Sequence, residues 1–105
     1  WVEVKAVSWC VAGGVGQFPD AVSVRARKHV HELAALASSG GRGALVFCAF
    51  HSRIERIAAA LEVDPEYAEA LSQAVQAGVE VYGLGVNISP QGLRATLPLS
   101  VEGLD

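Results

Sequence analysis

The sequence has 105 residues, 51% of them hydrophobic and 18% charged, with a formal net charge of −3. That length bounds a single domain with a core of its own, and the composition excludes a disordered chain. No apolar run approaches the ~20 residues that span a bilayer, so no membrane partner is expected and the default compartment is the cytoplasm.

The chain opens on Trp1 inside a strand-like run, which reads as a piece of a longer protein. In Trp1 to Trp9 the step Glu3-Val4-Lys5 carries the chemistry. Strand side chains alternate faces, so Glu3 and Lys5 share one face, about 7 Å apart along the backbone, while Val2 and Val4 take the other. A carboxylate and an ammonium on one face suit a divalent metal with a water beside the amine, as a metal-dependent nuclease requires. They equally suit a half-buried structural strand carrying a weak ion pair.

Residues 11–16, rich in glycine, predict a loop or hairpin tip before Phe18-Pro19-Asp20, and no Gly-Lys-Ser/Thr follows to make it a phosphate cradle. Ser23 is a suitable N-cap, and Ala26, Val30, Leu33, Ala34 and Ala37 recur at helical spacing, which predicts a helix over 24–38. Its first turns carry Arg25, Arg27, Lys28, His29 and His31. Cations there oppose the helix dipole at a cost of about 0.3–1 kcal/mol each. They are explained by an external polyanion, phosphates being the common case, or by a solvated charged face. The charge of the whole chain leans the same way. Residues 1–31 hold four basic against two acidic side chains, and residues 32–105 hold four against nine. An anion would therefore meet the first third.

The run Ala44 to Phe50 predicts a central strand buried on both faces, with Leu45 and Phe47 on one and Val46 and Cys48 on the other. His51 reads as a capping residue after it. Arg53 to Leu61 reads as a short helix or ordered loop. Asp64-Pro65-Glu66 opens a helix that ends at Gly78, Val79 to Val86 is the next strand, residues 89–92 form a turn, and Leu93 to Val101 is a short strand or extended tail. The element order predicts an α/β domain, a mainly parallel or mixed sheet sandwiched by helices through right-handed crossovers. Tyr67 and Tyr82 are expected at the core or its rim. Cys10 and Cys48, in apolar runs without metal spacing, read as buried free thiols.

Val-Glu-Val-Lys-Ala-Val-Ser (2–8), Phe-Pro-Asp-Ala-Val (18–22), Arg-Lys-His (27–29), Asp-Pro-Glu-Tyr-Ala-Glu-Ala-Leu (64–71), Ala-Gly-Val-Glu-Val (77–81) and Ser-Pro-Gln-Gly-Leu (89–93) occur in this order. Together they resemble the carboxy-terminal domain of the bacterial sugar fermentation stimulation protein A family, over essentially the whole chain. The resemblance implies a restriction-endonuclease-like core of PD-(D/E)xK type, truncated at its amino terminus. Residues 1–105 would be that domain, and an amino-terminal OB-like domain of the parent would be absent. It implies DNA as partner and a link to regulation of sugar metabolism genes, notably those for maltose. Magnesium is the implied cofactor. Carried over, Glu3 would be the metal-binding acid and Lys5 the lysine that serves the attacking water, both catalytic. Arg25, Arg27, Lys28 and His29 would hold nucleic-acid phosphates. The first acid of the motif would lie on a preceding strand. Pro19-Asp20 follows Glu-x-Lys and so is not the motif's PD, although Asp20 is expected near the site. Family members often read Thr-Glu-Arg-Gly where this chain has Ser23-Val24-Arg25-Ala26, losing a glutamate. Cleavage and non-catalytic DNA binding both stay open at this stage, as does homo-oligomerisation.

Overall fold

The computed structural model describes residues 1–19, 21–50, 53–102 and 104. Along the chain run β1 (Val2–Val7), β2 (Trp9–Val11), β3 (Val15–Phe18), α1 (Val24–Ser38), β4 (Ala44–Ala49), β5 (Arg56–Ala59), α2 (Pro65–Gln76), β6 (Glu80–Ser89) and β7 (Gly92–Glu102). The seven strands form one mixed sheet in the order β1-β4-β6-β7-β5-β3-β2. Strands β1, β4 and β6 are parallel, and β7 returns antiparallel to β6 through the tight turn ahead of Gly92. The glycine-rich stretch is the tip of a hairpin between β2 and β3, where Gly13 and Gly14 take positive φ.

Both helices follow from local chemistry. Ser23 caps α1, its hydroxyl accepting from the Ala26 N–H at 3.1 Å, and Gly40 just past the end takes φ +90°. Asp64 caps α2 with Pro65 at its first position, and Gly78 at φ +109° closes it. Pro lacks only an N–H that would be unpaired there anyway, and glycine enters the left-handed region without a Cβ clash.

The crossovers put both helices on one face of the sheet. The chain steps from β1 to β4 to β6 in a single direction across it, and right-handed crossovers taken in one direction fall on the same side. Leu45, Phe47 and Ala49 of β4 face the helices and are no more than 2% exposed, in a core with Val30, Leu33, Tyr67 and Leu71. On the opposite face Val2 is 61%, Val4 63% and Tyr82 49% exposed. The mixed sheet flanked by helices is as expected, but both helices lie on one face, which corrects the cover expected on both faces of β4. The strand is internal and its alternation is as predicted, yet Val46 and Cys48 are only half-buried, since among the described residues no helix covers them.

A second correction concerns residues 53–61. Arg56–Ala59 is a strand, paired in parallel with β3 on one side and β7 on the other. Ala58 to Ala60 favour a helix intrinsically, but four residues are too few to sustain one, and Ile57, 1% exposed, is held by sheet pairing instead. The strand β6 also runs further than its sequence indicates, to Ser89, with a register shift between Leu84 and Val86. Among the described residues no helix is long and apolar enough to cross a membrane.

Candidate metal and nucleic-acid site

Strand β1 is one edge of the described sheet, β2 the other, and Glu3 and Lys5 stand on the helix-covered face of β1, in register with Leu45 and Phe47 of β4. Neither is fully buried. Helix α1 brings one residue onto them. Lys5 Nζ lies 2.9 Å from His29 Nδ1, and Glu3 Oε2 lies 3.9 Å from the same nitrogen. An ammonium has three donors and no acceptor, so Lys5 donates and Nδ1 accepts, which puts the ring proton on Nε2. The ion pair between Glu3 and Lys5 that their spacing allows does not form; the partner of Lys5 is His29. Glu3 Oε1 accepts from the Trp1 indole N–H at 3.2 Å.

The predicted basic face of α1 divides. Residues 27 and 29 are separated by two positions, roughly 160° around a helix of 3.6 residues per turn, so they border opposite sides of the buried stripe. His29 borders the side toward β1. Arg27 borders the side toward α2 and forms an ion pair with Glu66 there. Arg25 and Lys28 are exposed. Asp20 and His51 lie outside the described residues.

Asp64 fixes the start of α1. Only 2% exposed, its carboxylate accepts from the Tyr67 N–H at 3.0 Å, as an N-cap of α2 does, and from the Ser23 N–H at 3.0 Å. One buried carboxylate therefore ties the N-termini of both helices together. In the sequence Asp64 shows only as a local cap, because nothing near it in the chain points to Ser23. Glu32 escaped sequence reading as well. One turn beyond His29, it lines a cavity of about 220 Å³ between β1 and α1, along with Trp1, Glu3, His29, Leu33 and Leu36.

Among the described residues no three His, Cys, Asp or Glu side chains converge on a point that could hold a metal. Glu3 offers one carboxylate, whose Oε2 lies 3.9 Å from His29 Nδ1, beyond hydrogen-bonding distance. Magnesium is commonly held by one or two carboxylates with waters and substrate phosphates completing its shell, so Glu3, beside an open cavity that Glu32 also lines, fits part of such a set.

These elements define a mixed α/β domain, two helices on one face of a seven-stranded sheet, with an acid, an amine and an imidazole gathered at its β1 edge. The chain belongs to the sugar fermentation stimulation protein family: the family described as "Sugar fermentation stimulation protein RE domain" matches residues 1–92. The sugar fermentation stimulation protein homologue of Saccharophagus degradans is 46% identical over 101 residues, covering 96% of this chain and 43% of its own length. That of Hahella chejuensis is 45% identical over 105 residues, covering all of this chain and 43% of its own length. The solved structure described as Pyrococcus furiosus SfsA in complex with Ca2+ matches with a TM-score of 0.88 at 33% identity, over 96% of this chain and 44% of that one. The chain thus spans less than half the length of these relatives.

Proposed function

We propose that this domain is the metal-dependent, DNA-directed part of an SfsA protein, a phosphodiesterase site in which Glu3 holds a divalent ion and Lys5 stands beside the attacking water. The observation that carries this reading is the juxtaposition of Glu3 and Lys5 on one face of β1, not paired with each other. The family structure described in complex with Ca2+ supports it, since calcium and magnesium are both hard ions that seek oxygen ligands. Bound at Glu3, magnesium would polarise a phosphoryl oxygen and lower the pKa of a water. Lys5 orients that water, and Arg25 and Lys28, exposed on α1, are the cations offered to backbone phosphates.

The second reading is a DNA-binding regulator of sugar metabolism genes that keeps the nuclease-like fold without cutting. It is favoured by the lack, among the described residues, of three converging metal-ligating side chains. Fold alone does not decide between the two.

Calorimetric titration of magnesium into the full-length protein separates them. Glu3→Gln keeps the shape but loses the charge and should weaken binding; Lys5→Ala should spare binding and abolish cleavage of a DNA duplex. Equal magnesium affinity in wild type and Glu3→Gln would sink the metal site. Binding without cleavage in the wild type would favour the regulator.

A further inference from the structure

Lysine and glutamate two apart on a strand face can reach one another, because the lysine carries a flexible four-carbon stem. In this domain they are kept apart. The His29 imidazole takes the Lys5 ammonium at 2.9 Å, while the nearer oxygen of Glu3 is 3.9 Å from that ring nitrogen, beyond hydrogen-bonding distance. The ring is partly shielded, with 22% of its side chain exposed against 26% for Glu3, so the three groups meet where water screens them incompletely. A lysine free to fold over would neutralise the Glu3 carboxylate.

We propose that His29 is a positioning residue: by accepting from Lys5 through Nδ1 it holds the ammonium off Glu3 and leaves the carboxylate open to a divalent ion. It is neither a metal ligand nor a proton carrier in this role. The proposal rests on Glu3 being the metal-binding acid, but the lysine and imidazole contact at its centre can be tested without any metal. Because α1 also carries Arg25 and Lys28, the same helix that meets phosphate would set the lysine in place.

Two experiments on the full-length protein decide it. In metal-free protein, nitrogen NMR of the His29 ring should find Nδ1 without a proton and Nε2 with one, and the Lys5 ammonium protons should exchange slowly enough to be seen. Those ammonium signals should vanish in His29→Ala and return in His29→Asn, whose amide oxygen can stand near the Nδ1 position. A proton on Nδ1, or ammonium signals indifferent to His29→Ala, would overturn the contact whatever the metal does. In magnesium titrations, His29→Ala should weaken binding several-fold, and adding Lys5→Ala to it should restore wild-type affinity. A double variant as weak as His29→Ala would make His29 a ligand or a structural support and overturn the positioning role. A wild type that binds no magnesium while the NMR contact is present would overturn the metal site and with it the role of His29 in keeping Glu3 open.

Discussion

Asp64 and Ser23 are forty-one positions apart in the chain, yet the buried carboxylate of the first accepts the backbone N–H of the second at 3.0 Å. The other oxygen caps α2 at Tyr67. Loss of an N-cap costs about 1 kcal/mol, and a buried hydrogen bond to a charged group contributes about 1.5–3 kcal/mol. Asp64→Ala should therefore destabilise the fold by about 2–4 kcal/mol in chemical denaturation, and Asp64→Asn by less, since an amide oxygen still caps. A loss under 1 kcal/mol for Asp64→Ala would mean that the two helix starts are held by packing alone.

Tyr67 stands beside this clasp with its ring between the helix and Phe18, whose ring centroid is 5.4 Å away. Among the described residues its buried hydroxyl has no hydrogen-bond partner, and burial, with the Asp64 charge nearby, pushes the phenol well above its ordinary range. An unsatisfied buried hydroxyl carries a desolvation penalty of about 1–3 kcal/mol. Tyr67→Phe should thus leave stability unchanged or raise it by up to about 1 kcal/mol, with the ring packing kept. A marked drop in melting temperature would reveal a polar partner for the hydroxyl.

The division of the basic face changes what a salt-dependence experiment should find. Each duplex phosphate neutralised contributes about 0.9 to the slope of log affinity against log salt. Replacing Arg25 and Lys28 by Ala in the full-length protein should flatten that slope by roughly two. Arg27→Ala should leave it nearly unchanged, because Arg27 faces Glu66 of α2; the pair itself is worth at most about 1 kcal/mol of stability, as surface pairs are. Equal flattening by all three substitutions would mean that DNA draws Arg27 away from Glu66.

Glu80, at the start of β6, accepts from Arg42 Nε at 2.7 Å and Nη2 at 3.1 Å, and from the Tyr82 hydroxyl at 2.6 Å. The Arg42 hydrogen bonds, helped by Tyr82, hold its carboxyl down to about 2. A carboxylate whose folded pKa is depressed contributes stability that is present above its unfolded value, about 4.3, and is lost as pH falls toward 2. The NMR titration midpoint of the Glu80 side chain should lie near 2 and rise toward the ordinary value in Arg42→Gln. A midpoint indifferent to Arg42→Gln would place the cause elsewhere.

How far the fold can be read from the sequence depends on how local the deciding interactions are. Ser23, Asp64-Pro65, Gly40 and Gly78 act within one or two turns, so both helices are legible with their boundaries. The alternation of Leu45, Phe47 and Ala49 places β4 inside the sheet. That only one of its faces is covered follows from the direction of two successive crossovers, which no single segment records. Arg56–Ala59 is not legible as a strand because four residues of middling propensity take their conformation from β3 and β7. At the site, the shared face of Glu3 and Lys5 follows from strand periodicity alone. The contact from His29 to Lys5 and the turn of Arg27 toward α2 depend on how α1 is rotated over the sheet, and that is a property of the packed core.

Strand β7 is bonded to β6 as far as Leu99 and to β5 from Ser100 onward, so two leaves of sheet share one spine. Where the spine changes leaves, Gly83 lies opposite Leu99, and a Cβ there would come within 2.7 Å of the Leu99 carbonyl oxygen and 3.2 Å of Ile57 Cδ1. The joint is therefore as thin as a single hydrogen atom permits. Its load passes from the leaf that carries Glu3 and Lys5 directly into the leaf built on the glycine hairpin. Alanine at position 83 would act as a wedge at that joint, prising apart the two halves while every group of the acid, amine and imidazole cluster stayed chemically intact.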